Sequence, residues 1–247
     1  MPPQRAPGIR PSRVRDRIRD REEHHLDAVL ENLPLLLGGF GRTLALLGIA
    51  GVGALILGTV VAGMRLSPVA PMRTVATVYT ELLRNTPLTL VLLGFAVIVP
   101  NLGIAPAGVD SQTQFFILAA IGLTLYTSPF IAEAIRSGVN SIPVGQAEAA
   151  RSIGLGFGQT LAAVILPQAI RMVIPPIINV LIALTKNTSV AGGFFVVELI
   201  GASRKAINER GDEVIAILLS VAVFYLLVTI TLGRIQAFVE KRVAVLR

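Results

Sequence analysis

No cysteine and no tryptophan occur among the 247 residues. Without cysteine, disulfides and thiolate metal sites are excluded. Charge is scarce: 15% of residues are charged against 53% hydrophobic, and the mean hydropathy is +0.72. A soluble core of this length needs more polar surface, so the composition is that of a polytopic membrane protein. The chain also lacks the Gly-x-x-x-x-Gly-Lys-Ser/Thr loop that cradles nucleotide phosphates. "GLGFG" (154–158) has neither a preceding strand nor the spacing of a dinucleotide fingerprint. His24 and His25 are adjacent but have no acidic or histidine partner at a metal-binding spacing. Nothing here points to covalent chemistry or to a metal.

What charge there is collects at the start. Residues 1–26 carry Arg5, Arg10, Arg13, Arg15, Arg17, Arg19 and Arg21, diluted by Asp16, Asp20, Glu22 and Glu23. No apolar segment follows at signal-peptide distance, and no aromatic residue is interleaved for stacking on bases. We therefore expect a disordered tail over residues 1–27, without nucleic-acid binding, and one membrane domain over 28–247.

A hydrocarbon core of about 30 Å takes about 20 apolar residues as a helix. Uncharged stretches predict spans over Thr43–Gly63, Ser111–Ala132 and Val214–Gly233; uncharged Asn85–Val109 contains Pro87, Pro100 and Pro106, which places another span over about Thr77–Pro100. A further unit over about Thr160–Ile200 is interrupted by Pro167, Pro175, Pro176 and Lys186. That makes five spans with the fourth broken, and Leu33–Phe40 reads as an interfacial lead-in. Running the first span inward puts Arg65, Arg73, Arg84, Arg136, Arg151, Arg234, Lys241, Arg242 and Arg247 inside. Only Arg204, Lys205 and Arg210 then lie in outer loops, as the positive-inside rule prefers. The basic tail favours the opposite orientation.

On this topology "QAEAARSIGLGFGQTLAAVILPQAIR" (146–171) begins in the cytoplasm. Asn140 and Ser141 can cap a helix and Pro143 suits its first turn. Helix formers run from Val144 to Ile153, and Gly154 can take the left-handed conformation that ends them. About ten residues give roughly 15 Å, too short to span. Ala147, Ala149 and Ala150 offer a small-residue surface, and Glu148 can pair with Arg151. By physics alone this is equally an ordinary connector or a docking helix.

Glu148, Ala149, Ala150, Gly154, Leu166 and Pro167 stand in the pattern Glu-Ala-Ala, three residues, Gly, nine residues, aliphatic, any residue, Leu-Pro, with Val164 where Ile is usual. This resembles the signature of bacterial ABC importer permeases. "YTELLRNTPLTLVLLGF" (79–95), "LYTSPFIAEAIRSGVNSIPVGQAEAARSIGLGFG" (125–158) and "LTKNTSVA" (184–191) are similar to motifs of the polar amino acid branch, with Asn187 where Asp is common. The resemblance covers about residues 33–240 and is strongest to glutamate importers of actinobacterial type. It implies an all-α, five-span type I importer fold in the cytoplasmic membrane, with residues 146–154 as a coupling helix. It implies four partners: a separate ATPase subunit that uses the ATP, a second homologous permease subunit, an extracytoplasmic substrate-binding protein and a polar amino acid, with glutamate the leading candidate. No cofactor is expected on this chain.

Five glycines in the first span (Gly48, Gly51, Gly53, Gly58, Gly63) suit close helix packing. Lys186 lies about fifteen residues beyond Arg171, roughly 22 Å along a helix, at membrane depth. It either lines a pathway or pairs with Glu198 or with backbone carbonyls. Arg84 reads as an interfacial anchor. Yet Arg84-Asn85-Thr86 and Lys186-Asn187-Thr188 share a cation-Asn-Thr pattern beside Pro87 and beside an expected helix break, which makes these six the candidate pathway residues. The alternative class is a self-sufficient secondary amino acid transporter. It would need an internal repeat or an intramembrane carboxylate; no repeat is found, and Glu198 is the one deep acidic candidate.

Overall fold

The computed structural model of the chain describes residues 11–209, 211 and 213–244. Its order is α1 (Pro11–Leu66), α2 (Ala70–Arg84), α3 (Leu88–Leu93), α4 (Val99–Asn101), α5 (Ser111–Asn140), α6 (Val144–Ser152), α7 (Phe157–Thr160), α8 (Leu166–Ala191), α9 (Leu199–Glu209) and α10 (Val214–Ala244). Two π-helical turns, Gly94–Ile98 and Leu161–Ile165, join α3 to α4 and α7 to α8. No strand occurs among the described residues. Four segments are long and apolar enough to cross a membrane: Val29–Leu66, Ser111–Asn140, Phe157–Ala191 and Val214–Arg242. A fifth crossing requires α2 and α3–α4 to count as one span, and they meet at 99°.

The all-α expectation holds, but several boundaries move. Leu33–Phe40 is no separate lead-in, because α1 runs through it and through Pro34 without a break. Helix α1 also reaches back to Pro11, into the stretch expected to be disordered; residues 1–10, with Arg5 and Arg10, lie outside the described residues, as do Arg210 and Arg247. No Pro or Gly occurs between residues 12 and 33, which favours helix there. The second span is not straight: Pro87 starts α3 in extended backbone and turns the chain between Arg84 and Leu88. The fourth is unbroken at Lys186. It passes Pro175 and Pro176 and ends at Ala191, and Gly192–Glu198 is the interruption.

The prolines explain why the helices deform where they do. A helical proline donates nothing to the carbonyl four residues back, and in hydrocarbon no water replaces the bond. Pro100 and Pro167 each follow a π turn by two residues, and the carbonyls they fail to reach, Ala96 and Ala163, sit at the centres of those turns. The bonds to the fifth residue lie just before each proline: the Val99 N–H donates to Gly94 O and the Leu166 N–H to Leu161 O. The residue after each proline adds a side-chain amide bond to the carbonyl four residues back from it. Asn101 Nδ2 donates to Val97 O and Gln168 Nε2 to Val164 O, both at 2.8 Å. At Pro129 the remedy comes from another helix: Tyr79 Oη of α2 donates to Leu125 O at 3.0 Å, with Ser128 Oγ 2.8 Å away.

Helices α1 and α5 form the central pair. Buried Leu46, Ala50, Leu123 and Leu184 join α1, α5 and α8, while Val61, Ala62, Ala76 and Ala132 join α1, α2 and α5 nearer α6. The glycine stripe is used selectively. A Cβ on Gly58 would lie 2.6 Å from Ile131 Cβ and 2.8 Å from Ser128 O, and one on Gly53 2.9 Å from Thr124. Gly48 and Gly63 face nothing within 4 Å. Backbone and a β-branched carbon cannot step aside, so Gly58→Ala is expected to cost about 1–3 kcal/mol in spite of its better helix propensity. Gly63→Ala should not destabilise. Melting of the purified complex in detergent or nanodiscs compares the two; equal melting temperatures would contradict the close crossing.

Candidate functional site

The described residues offer two sites, the α6 connector and a cavity between α5 and α8. Helix α6 is nine residues, about 14 Å. The expected caps are not used: Asn140 is the last residue of α5, and Pro143 is the N-cap of α6 in extended backbone, with no side-chain bond. Its C-terminus follows the sequence reading. Gly154 has φ +88°, its N–H donates to Arg151 O at 3.0 Å, and the Leu155 N–H donates to Ala150 O at 3.1 Å. These are the two bonds of a Schellman end, which requires a left-handed residue between them. Glu148 and Arg151 do not pair, because the Arg151 guanidinium turns back to Ala147 O at 3.2 Å.

Of the motif residues only Ala150 is buried; Glu148, Ala149, Gly154, Leu166 and Pro167 are exposed. Around them project Val144, Ile153 and Phe157, at 71, 78 and 82% exposure. Apolar side chains that protrude this far from a helix too short to cross a membrane form a contiguous sticky surface.

The cavity holds about 390 Å³ and is lined by Tyr126, Thr127, Phe130, Asn179, Val180, Ala183 and Asn187. None of these is charged. Asn179, Ala183 and Asn187 repeat every four residues, which puts them on one face of α8. Thr127 sits midway along α5, is buried, and its hydroxyl has no hydrogen-bond partner within the chain. An unserved buried hydroxyl costs about 1–3 kcal/mol unless something fills the site.

The cation-Asn-Thr pairs behave differently from one another. Asn187 lines the cavity, but Lys186 is exposed and Thr188 is buried, its hydroxyl donating to Thr185 O at 2.7 Å. Asn85 Nδ2 and Thr86 Oγ1 cap the end of α2 through Glu81 O and Leu82 O. Arg84 is no free interfacial anchor: it lies 3.7 Å from Glu133 Oε2 and over the Phe130 ring at 5.9 Å. Glu133 also binds Arg65 at 2.5 Å and Arg136 at 2.7 Å, so three guanidiniums share one carboxylate. Lys186 does not pair with Glu198. That carboxylate is fully buried and accepts from Thr43 Oγ1 (3.1 Å), Tyr225 Oη (2.9 Å) and the Gly201 N–H (3.0 Å), which ties α1, α9 and α10 together. Sequence reasoning missed Tyr126, Thr127, Phe130 and Asn179. The signal was the eight-residue interval between Asn179 and Asn187, the one other Asn on that helix face.

The comparisons with known proteins agree on the kind of molecule. The chain is 42% identical over 217 residues to the glutamate transport system permease protein GluC of Corynebacterium glutamicum, covering 86% of this chain and 95% of that one. It is 37% identical to the probable glutamine ABC transporter permease protein GlnM of Bacillus subtilis, over 88% of this chain and 97% of that one. Among solved structures, an amino acid ABC transporter with histidines superposes with a TM-score of 0.78 at 27% identity, over 87% of this chain and 96% of that one. An inward-facing methionine ABC transporter superposes with a TM-score of 0.61 at 20% identity, over 84% and 97%, which shows a common fold. The family model described as a binding-protein-dependent transport system inner membrane component matches residues 54–245, and the chain belongs to that family of multi-pass membrane permease subunits of ABC transporters.

Proposed function

We propose that this permease subunit carries a polar amino acid inward, with glutamate the leading cargo, and that the cavity between α5 and α8 is its half of the path. The observation that carries the reading is the cavity's lining: uncharged and largely apolar, midway along α5, with the amides of Asn179 and Asn187 and the hydroxyls of Tyr126 and Thr127 as its polar groups. A second homologous permease subunit closes the open side of the cavity. A substrate-binding protein delivers the amino acid to the end bearing Arg42 and Asp110. A separate ATPase docks on α6, where Val144, Ile153 and Phe157 supply apolar area and Glu148 and Arg151 supply charge. ATP is bound and spent by that partner, and this chain holds no cofactor. The identity to glutamate permeases supports the cargo. Reconstitution with ATPase, binding protein and second permease should give glutamate uptake that requires ATP. Uptake driven by an ion gradient without nucleotide would establish the secondary-transporter alternative instead.

Two substitutions test the assigned residues. Gly154→Asp forces a side chain into left-handed backbone, at a cost of about 1–3 kcal/mol, and puts a charge on the docking face. The complex is expected to assemble and bind ATP but to lose transport. Wild-type uptake by the variant in vesicles would remove α6 from the coupling path.

Asn187→Asp adds a fixed anion to the cavity. In a poorly screened pathway this penalises an anionic cargo more than a neutral one. Glutamate uptake should fall at least tenfold further than glutamine uptake, each measured with a binding protein that accepts it. Equal losses would return all selectivity to the binding protein.

A further inference from the structure

A second cavity, of about 340 Å³, opens at the end of the molecule opposite α6. Arg42, Asp110, Gln112, Thr113, Phe116, Val196 and Val197 line it. Its size falls within the range of small-molecule sites, about 300–1,000 Å³. Its lining has one cation and one anion. Phe116 and Val197 are half-buried and Val196 is buried, so the remainder of the wall is apolar with two neutral polar side chains.

Both charged groups have unused capacity. Arg42 gives one N–H to Val197 O at 3.2 Å, and a guanidinium has five. Asp110 is the N-cap of α5. Its Oδ1 accepts from the Gln112 and Thr113 N–H groups at 3.0 and 3.1 Å, while Oδ2 accepts only the Thr113 hydroxyl at 2.6 Å. The Thr113 hydroxyl and N–H hold the Asp110 carboxyl below the usual carboxylate range, so it is anionic at neutral pH. The two charges serve opposite ends of a zwitterion. A guest carboxylate can take the free N–H fork of Arg42 in bidentate fashion, and its ammonium group can donate to Asp110 Oδ2 and the Gln112 amide oxygen.

We propose that this cavity is a reception site for the α-amino acid zwitterion, gripping the carboxylate with Arg42 and the ammonium with Asp110. It rests on the amino acid cargo proposed above but is separate from the α5–α8 cavity. With its two charges engaged by the common end of the molecule, it has none left to read the side chain. It therefore accepts α-amino acids generally and adds little selectivity.

The test is equilibrium binding of labelled glutamate and glutamine to the nucleotide-free complex in nanodiscs, without binding protein. Both should bind with similar affinity. Glutarate, which lacks the amine, and 4-aminobutyrate, which lacks the α-carboxylate, should compete at least tenfold more weakly, the scale of one lost charge-assisted bond. Arg42→Gln and Asp110→Asn should each weaken both amino acids at least tenfold, and Arg42→Lys should recover part of the loss. Asparagine caps helices as well as aspartate does, so Asp110→Asn keeps α5 intact, which an unchanged melting temperature verifies. Wild-type affinity in both variants overturns the site. So does a loss confined to the affinity for the binding protein, which would make this a docking contact. Uptake measured on the same complexes separates the two readings: if the wild type takes up no amino acid, the proposed cargo fails, whereas normal uptake with binding indifferent to Arg42 and Asp110 rejects only this site.

Discussion

A carbonyl freed inside a membrane must find a donor within the protein, and much of this architecture is a set of answers to that demand. Pro100 and Pro167 each follow a widened turn, and the amide side chain of the very next residue, Asn101 or Gln168, donates to the carbonyl four residues back from it. Pro129 is answered at long range by Tyr79, which makes a backbone repair serve also as a contact between α2 and α5. At Pro87 the Leu83 carbonyl takes the Thr86 N–H at 3.3 Å, α2 ends, and the chain turns through 99°.

The two ends of the molecule are tied by acids of opposite character. At the end nearer α6, Glu133 sits among three arginines, an arrangement with excess positive charge. At the other end Glu198 has no cation in contact among the described residues and accepts from hydroxyl and backbone donors of α1, α9 and α10. It closes the Gly192–Glu198 segment, which contains Phe195 at φ +65°. A non-glycine residue held there is strained and persists only where its surroundings hold it; Phe195 packs on Phe115 with ring centroids 5.1 Å apart. The break in the fourth span is thus a built corner, fixed at both edges.

Much of this was legible in the sequence. Uncharged length located the spans, and Gly154 announced the end of α6 because left-handed backbone excludes most other residues. Three features were not legible. Pro175 and Pro176 were expected to interrupt the fourth span, yet α8 carries both without a break. Charge pairing also misled: Lys186 and Glu198 are both ionisable and near in sequence, but they face different ways once α8 continues to Ala191. Thr127 could not be singled out from one-dimensional pattern, because its unserved hydroxyl is a property of the packing around it.

Among the residues of α6 only Ala150 is buried, and the hydrogen bonds of the Gly154 end close the helix on itself. Its outer face and its structural anchor are therefore nearly separate sets of residues. Val144, Gln146, Glu148, Ala149 and Ile153 are exposed and can change without disturbing a core contact. As the docking surface proposed above, α6 would be a modular joint, open to being rewritten for a different drive subunit while the transmembrane body stays the same.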